Sequence, residues 1–565
     1  MSTKKFTFEQ ALQIALRHHQ AGHLRQAEVI YQKLLQQQPR HSDTLYLLGS
    51  LCHQKRQHQE AEKLIKQAIA IAPANAHYHY NLGLVLAAQD QIETATAAFQ
   101  RAIALNPRYA EAYNNLATIQ QEVGLYDAAH HNYQQALNIR PDYQQARSNL
   151  LSLLSYNVLC TPEEMLLAHR EWDRIHGGPD KARTFSHPVR DDPGRRLRIG
   201  YVSTDLRRHV ISNFFEPILE HHDAAQVEVF CYAEVDNPDD VTRRLQGLAH
   251  RWRFTVGMSD RELADQIHED HIDILVDLNG HTTAVSNRLG AFTYKPAPVQ
   301  ATYLGYFTTT GLTAMDYWIT DEVLHPQDTI ELANETLWRL PRCCMVYSPP
   351  PEAPLPSERQ AHDIIFACFN HLSKISPAAV ELWSQVLRAV PTAQLMIKTK
   401  QLADSAIQTM MKKRFAAQGI PPERLILLPH NVSYEEHLAT YGKIDIVLDA
   451  VPRTGGTMTA EALWMGVPVI TLAGERFIER LSASMLEAIG VPQLIAYDQA
   501  DYIEKAAALA RNHSQRQQLR ATLRQRMAQS PLCDGPSLAR TLEKAYRDMW
   551  HRYLKYAEDQ TVETP

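Results

Sequence analysis

The densest chemistry in the chain lies in one segment, Leu448-Asp-Ala-Val-Pro-Arg-Thr-Gly-Gly-Thr-Met-Thr-Ala-Glu461. A β-branched run ends at Asp449, a loop carries Gly455 and Gly456, and the pattern predicts a helix from about Thr457. Glycines let backbone N–H groups come close to a ligand, and the free amides and dipole of a helix N-terminus attract phosphate. Thr457 and Thr459 add hydroxyl donors, and Glu461, one turn into the helix, could accept hydrogen bonds from ribose hydroxyls. Neither GxGxxG nor GxxxxGK[ST] occurs, so a dinucleotide fold or a P-loop does not fit. A Gly-Gly turn before a helix also occurs as plain structure, so the segment alone is a candidate phosphate site and no more.

Other reactive side chains are scattered. The chain has 27 histidines. His19 and His23 have the i,i+4 spacing that could hold zinc, and His221 and His222 are adjacent, yet no cysteine or carboxylate completes a ligand set at familiar spacing. No metal is therefore expected. His209 follows a predicted strand, where a group titrating near neutrality could accept a proton. Cysteines 52, 160, 231, 343, 344, 368 and 533 show no CxxC spacing, which fits buried free thiols in a reducing cytoplasm.

The elements that must position these residues follow from two different periods. Pro39, Pro73, Pro107 and Pro141 are each 34 residues apart. Ala27, Ala61, Ala95 and Ala129 share that period, as do Tyr31, Ile65, Phe99 and Tyr133, and the small series Gly49, Gly83 and Ala117. This is the length of a tetratricopeptide helix–turn–helix unit, with small residues where helices cross and proline after the second helix. Four repeats and part of a fifth assign residues 1–150 to an α-helical superhelix, and 151–195 to a helical linker. After Arg196 the period changes: β-branched runs at 197, 227, 272, 299 and 317 alternate with helical stretches, then again at 364, 395, 425, 446 and 467. That is parallel α/β patterning. The proline-rich stretch at 349–360 separates two Rossmann-like doubly wound halves, 196–348 and 361–500, and 501–565 reads as C-terminal helices. Two such halves form a cleft at the strand C-terminal ends, as in the GT-B fold.

Composition narrows the class. At 565 residues the chain exceeds one core. A net charge of −6 argues against a nucleic-acid or polybasic membrane partner, and no apolar run approaches the roughly eighteen residues of a membrane span. The start leads into a helix and not into an apolar signal core, so a cytoplasmic location is expected.

Several long motifs in order resemble the O-GlcNAc transferases, glycosyltransferase family 41. They are Ile199-Gly-Tyr-Val-Ser-Thr-Asp-Leu-Arg-Arg-His209, Asp277-Leu-Asn-Gly, Pro296-Ala-Pro-Val-Gln-Ala-Thr-Tyr-Leu-Gly-Tyr, Met315-Asp-Tyr-Trp-Ile-Thr-Asp321, Cys368-Phe-Asn-His-Leu-Ser-Lys374, Tyr434-Glu-Glu-His437 and the 448–461 segment. With the repeats the resemblance covers nearly the whole chain, and the short array is similar to that of bacterial members. It implies inverting, metal-independent transfer of a sugar, usually GlcNAc from UDP-GlcNAc, to Ser or Thr hydroxyls of intracellular proteins, with no cofactor besides that donor. It implies that Lys374 and the amides of Thr457, Met458 and Thr459 stabilise the leaving diphosphate, a term that is usually the largest in catalysis. It places His437 on the uracil ring and Glu461 on the ribose, with His371, Tyr434 and Gly456 completing the UDP site. His209 matches a histidine proposed as general base; a carboxylate such as Asp265, or the donor's own phosphate, are the alternatives.

Some positions depart from the family pattern. Tyr434 stands where the animal enzymes carry lysine, His371 where glutamine is usual, Val210 where proline is frequent, and Thr308-Thr-Thr-Gly311 replaces a Gly-Thr-Ser-Gly pattern near the sugar pocket. A UDP-glucose-dependent asparagine glucosyltransferase and a non-catalytic, UDP-binding repeat scaffold are the rival functions. The repeats suit a protein or peptide acceptor, or pairing into a homo-oligomer.

Overall fold

The computed structural model describes residues 6–157, 160–187, 194–282, 287–356, 363–430 and 433–562. Contacts divide the chain into two units, residues 1–143 with 400–410, and 144–399 with 411–565. Among the described residues no helix is long and apolar enough to cross a membrane.

The first unit is four helix–turn–helix repeats: Phe8–Gln20 with Leu24–Gln37, Ser42–Gln54 with His58–Ile71, Ala76–Ala87 with Ile92–Leu105, and Ala110–Glu122 with Tyr126–Ile139. Each second helix ends two residues before the periodic proline. The periodic small residues act through close approach. A Cβ on Gly83 would lie 2.6 Å from the Phe99 ring, and one on Gly49 2.7 Å from Ile65. Tyr31, Ile65, Phe99 and Tyr133 are accordingly buried. A short excursion from the distant sequence joins this unit: Lys400 Nζ lies 3.1 Å from Asp90 Oδ1, and the Glu93 N–H donates to Asp404.

The helix Gln144–Leu154, expected to open a fifth repeat, belongs instead to the second unit. Its polar face is the reason. Ser148 Oγ accepts from Trp172 Nε1 (3.0 Å) and Asn287 Nδ2 (3.0 Å) and lies 3.2 Å from His281 Nδ1. The repeat unit thus stops before residue 150. Of the two polar boundaries, residues 188–193 and 357–360 lie outside the described residues.

The second unit holds two parallel sheets. The first contains β1 (Leu197–Ser203), β2 (Val227–Ala233), β3 (Arg251–Phe254), β4 (Ile274–Asp277), β5 (Val299–Thr302), β6 (Tyr317–Asp321) and β7 (Thr336–Leu340), in the order β3-β2-β1-β4-β5-β6-β7. The second contains β8 (Ile365–Cys368), β9 (Gln394–Lys398), β10 (Leu425–Leu428), β11 (Ile446–Leu448), β12 (Val469–Leu472) and β13 (Ile495–Ala496), in the order β10-β9-β8-β11-β12-β13. Strand order reverses between β1 and β4 and between β8 and β11. Such switch points open a crevice at the strand carboxyl ends.

The last helix, Gly535–Val562, follows the second sheet in sequence but packs on the first half. Tyr546 OH lies 3.1 Å from Tyr201 OH on β1, and Arg547 donates to the Arg195 carbonyl (2.7 Å). Glu543 accepts from the Asp223 N–H (2.7 Å) and sits 3.0 Å from His222 Nδ1. Burial opposes ionisation of this carboxyl, but His222, the Asp223 N–H and Arg540 together hold it below its ordinary value. Its stabilisation is therefore present above the ordinary glutamate range and is lost as pH falls through the depressed folded value. We predict that Glu543→Ala costs about 1–3 kcal/mol at neutral pH. Hydrogen exchange of the 535–562 peptide should speed by about tenfold or more, and the gap to the parent should close in acid. Unchanged protection would show that the pair does not tether the helix.

Candidate functional site

The second switch point gathers most of the predicted residues. After β8 the chain enters a short turn, Leu372–Lys374, capped by His371, whose Nδ1 accepts from the Ser373 N–H and lies 2.9 Å from Ser373 Oγ. That cap turns the Lys374 stem toward the loop after β11, where Nζ donates to the Thr454 carbonyl (2.8 Å). The loop is shaped by Asp449: Oδ1 accepts from the N–H groups of Ala450 (2.9 Å) and Gly455 (2.8 Å), and Oδ2 from Thr471 Oγ1 (2.8 Å). Gly455 must be glycine, since a Cβ would lie 2.1 Å from Thr459 Oγ1; beside Gly456 the space is open. Gly456 caps the helix Thr457–Trp464 without any side-chain bond, so no capping side chain claims its first amides. Thr459 differs from expectation: its hydroxyl is buried against Ser482 Oγ (2.8 Å), leaving only its backbone for a ligand.

Lys374 is electrostatically unusual. Burial and the neighbouring Arg453 push its pKa down to about 7, against a smaller opposing pull from Asp449. An amine poised near neutrality becomes fully charged when an anion arrives.

A second cluster lies one turn further along. Glu461 is buried; Oε1 accepts from Tyr434 OH (2.6 Å), and Oε2 from Tyr441 OH (3.3 Å), with His437 Nε2 at 2.9 Å. Tyr434 stacks on His437 with rings 10° from parallel and centroids 5.9 Å apart. Tyr434 is 46% exposed and His437 is 6% exposed, so an incoming ring meets Tyr434 first. His437 Nδ1 is buried with no partner among the described residues. The expected ribose carboxylate is thus already engaged by three side chains, and a sugar hydroxyl would use the remaining lone pair of Oε1 or displace Tyr434.

The first switch point holds His209. Asn279, after β4, accepts from the Thr204 N–H (2.8 Å) and donates to Asp205 Oδ2 (2.7 Å). Asp205 Oδ2 lies 3.8 Å from His209 Nδ1. Burial lowers the His209 pKa, Asp205 opposes and Arg207 reinforces the shift, so the ring is neutral at physiological pH and free to accept a proton. Asp265 is not part of this cluster; its carboxylate pairs with Arg261 (2.8 Å) on the helix Asp260–Glu269. Two glycines set the neighbouring turns: Gly280 has φ +54°, and a Cβ on Gly305 would lie 1.7 Å from the Leu278 carbonyl.

The loops after β5 and β11 meet where the Arg453 guanidinium lies over the rings of Tyr156 (4.8 Å) and Phe307 (5.2 Å). Phe307 also borders an open hollow with Thr308, Glu331, Arg476 and Ile478, and Thr308 Oγ1 is buried there without a partner among the described residues. Thr308 therefore falls beside the site, where the altered Thr308-Thr-Thr-Gly311 run could shape what enters.

Two cations were not singled out by the sequence. Lys398, at the end of β9, donates to Thr440 Oγ1 (3.2 Å) and lies over the Phe369 ring (4.7 Å); burial holds its pKa down to about 8, against the pull of Glu461. Arg453 is the other. A basic residue closing an apolar strand run, and one preceding the Gly-Gly turn, were the available signals. Among the described residues no three His, Cys, Asp or Glu side chains gather in a way that could hold a metal ion. His222, one of the histidines weighed as a ligand, is spent on Glu543 and Tyr201.

A helical repeat array followed by two parallel sheets, each with a switch point, is the architecture of a GT-B glycosyltransferase carrying tetratricopeptide repeats. Residues 179–348 and 355–542 match Glycosyl transferase family 41, and 18–82 and 73–142 match Tetratricopeptide repeat. The chain belongs to glycosyl transferase family 41. It is 37% identical over 405 residues to the probable UDP-N-acetylglucosamine–peptide N-acetylglucosaminyltransferase SPINDLY of Arabidopsis thaliana, covering 70% of this chain and 43% of that protein. Its identity to the corresponding SEC protein of that plant is 33% over 394 residues, covering 66% and 40%. The chain thus spans about two-fifths of the length of these curated relatives. A solved O-GlcNAc transferase mutant of Thermobaculum terrenum superposes with a TM-score of 0.78 at 35% identity, covering 99% of this chain and all of that one.

The buried amine gives a direct test. In protein with 13C-methylated lysines, one NMR signal should titrate near pH 7, below that of Lys398 near 8 and far below ordinary lysines, and vanish in Lys374→Met. A Lys374 signal titrating near 10 would show the ammonium to be solvated and the site less enclosed.

Proposed function

We propose that the chain transfers a sugar, GlcNAc in the first instance, from a UDP donor to Ser or Thr hydroxyls of proteins, with inversion and without a metal ion. The observation that carries this reading is the Lys374 amine held at the Thr454 carbonyl beside the uncapped start of the helix Thr457–Trp464. A fixed cation and free amides are what a departing diphosphate needs. Relatives of the chain bear names of peptide N-acetylglucosaminyltransferases, which supports the choice of donor and acceptor.

In this mechanism the acceptor hydroxyl oxygen attacks the anomeric carbon, and the bond from that carbon to the diphosphate oxygen breaks on the opposite face. The electron pair leaves with UDP, toward Lys374 and the amides of Thr457, Met458 and Thr459. The hydroxyl proton passes to an acceptor, for which neutral His209, set beside Asp205, is our choice. Tyr434 and His437 offer a ring platform for the base, and Glu461 faces the ribose. The repeats supply a surface for the protein acceptor.

Purified protein incubated with a peptide library should transfer sugar from UDP-GlcNAc in the presence of a chelator, ahead of UDP-glucose and other nucleotide sugars. The product should be removed by mild alkaline elimination and carry the inverted anomer by NMR. An alkali-stable link would mean an asparagine acceptor, and UDP binding without any product would mean a scaffold. Lys374→Met should lower turnover by about 100-fold or more while weakening UDP less. Because the amine is charged only below about pH 7 in the free protein, UDP affinity should fall as pH rises above that value and the fall should disappear in Lys374→Met. A flat profile would remove Lys374 from the diphosphate.

A further inference from the structure

We infer that Arg453 is a second cation for the donor's diphosphate, acting beside Lys374; this rests on the reading of the switch point as a UDP-sugar site. Its guanidinium makes no hydrogen bond or ion pair with any described residue, and its Nε is buried. The residue as a whole is half-buried with its Nε enclosed, so the fork carries its charge without a protein partner and is available to an anionic ligand. Among the described residues, five other arginines with a buried, unbonded Nε are paired with carboxylates: Arg140 with Glu111, Arg195 with Asp273, Arg207 with Asp205, Arg288 with Asp260 and Arg342 with Asp534. Arg453 has instead two aromatic rings, Tyr156 and Phe307, which fix the plane of the fork while leaving its N–H groups unspent.

Placement makes the ligand's chemistry specific. Arg453 immediately precedes Thr454, whose carbonyl holds the Lys374 amine, and its charge is close enough to depress that amine. Two cations therefore converge on one loop, and Asp449, the carboxylate whose charge acts on Lys374, has spent its oxygens on Ala450, Gly455 and Thr471. The diphosphate of a UDP-sugar carries two negative charges, one on each phosphoryl group. One cation per phosphoryl group balances the loop, and a planar fork suits two oxygens of a single group.

The test is calorimetric titration of the full chain with UDP, UMP and uridine, in the parent, Arg453→Gln and Arg453→Lys, with thermal unfolding as the check of fold. Arg453→Gln should weaken UDP by about tenfold or more and UMP less, with uridine unchanged, and Arg453→Lys should recover part of the loss. Arg453→Met, whose stem stacks on the same rings, gives the same comparison should the glutamine variant unfold. Equal weakening of UDP and uridine would make Arg453 a structural residue, and unchanged UDP binding with a raised KM for the UDP-sugar would move it to the sugar; either overturns the assignment. A parent that binds none of the three overturns the UDP-sugar reading itself and this inference with it, an outcome distinct from parental UDP binding that survives in the variants.

Discussion

One contact organises the second α/β half: an amine donating to a backbone carbonyl, Lys374 Nζ to Thr454 O. It joins the two loops that leave β8 and β11 in opposite directions, and so spans the place where the strand order reverses. A carbonyl is neutral, so this bond orders the amine without cancelling its charge. Had a carboxylate held Lys374, the ammonium would be satisfied and would gain little from a diphosphate. The positive charge is kept available at the cost of burial, which is why the pKa falls to about 7.

The surrounding residues serve that arrangement by removing every other claim on it. Asp449, the acid whose charge acts on Lys374, is turned toward backbone N–H groups and Thr471, and its own backbone carbonyl accepts from Trp383 Nε1 and Tyr502 OH. Gly455 lets Thr459 fold inward onto Ser482, which anchors the helix start, while Gly456 leaves the amides uncovered. The first half is built by the same logic. Asn279 bridges the loops after β1 and β4, steadies Asp205, and Asp205 stands beside a neutral His209. Each half thus uses its switch point to place one titratable group: an amine poised near neutrality in one, a neutral imidazole in the other.

How much of this was legible depended on whether a residue's neighbours are near in sequence. The repeats were readable because proline, glycine and an aromatic recur at fixed distance, and Gly83 packs on Phe99 within one unit. Central strands announced themselves as apolar runs. The missed strands β3, β7 and β13 are all edge or terminal ones; β3 and β7 are half exposed along much of their length, which erases the apolar run, and β13 is two residues long. The 448–461 segment pointed to a phosphate site, and family resemblance added Lys374 and His437. Neither route reached Arg453 or Lys398, whose meaning comes from partners distant in sequence, Tyr156 and Phe307 for the one, Phe369, Thr440 and Glu461 for the other. The return of the last helix to β1, and the departure of Gln144–Leu154 from the repeats, draw on polar contacts that no periodicity records.

The replacement of a lysine by Tyr434 is best understood through charge. Glu461 is buried, and a buried carboxylate needs compensation. Tyr434 supplies a hydrogen bond but no charge, and the ammonium whose field reaches Glu461 is that of Lys398, from the end of β9 beneath the cluster. The cation that acts on Glu461 here is thus Lys398 and not a residue at position 434. What faces the ligand is then an aromatic ring, half exposed and stacked on His437, with the acid behind it. A base bound here would be recognised by stacking and by the hydroxyl of Tyr434 in place of an ammonium, and the diphosphate would find its positive charge only further along, at Lys374 and Arg453. A UDP-sugar bound here would therefore meet an uncharged platform for its ring and a cationic loop for its phosphates, two tasks kept further apart than a lysine at position 434 would allow.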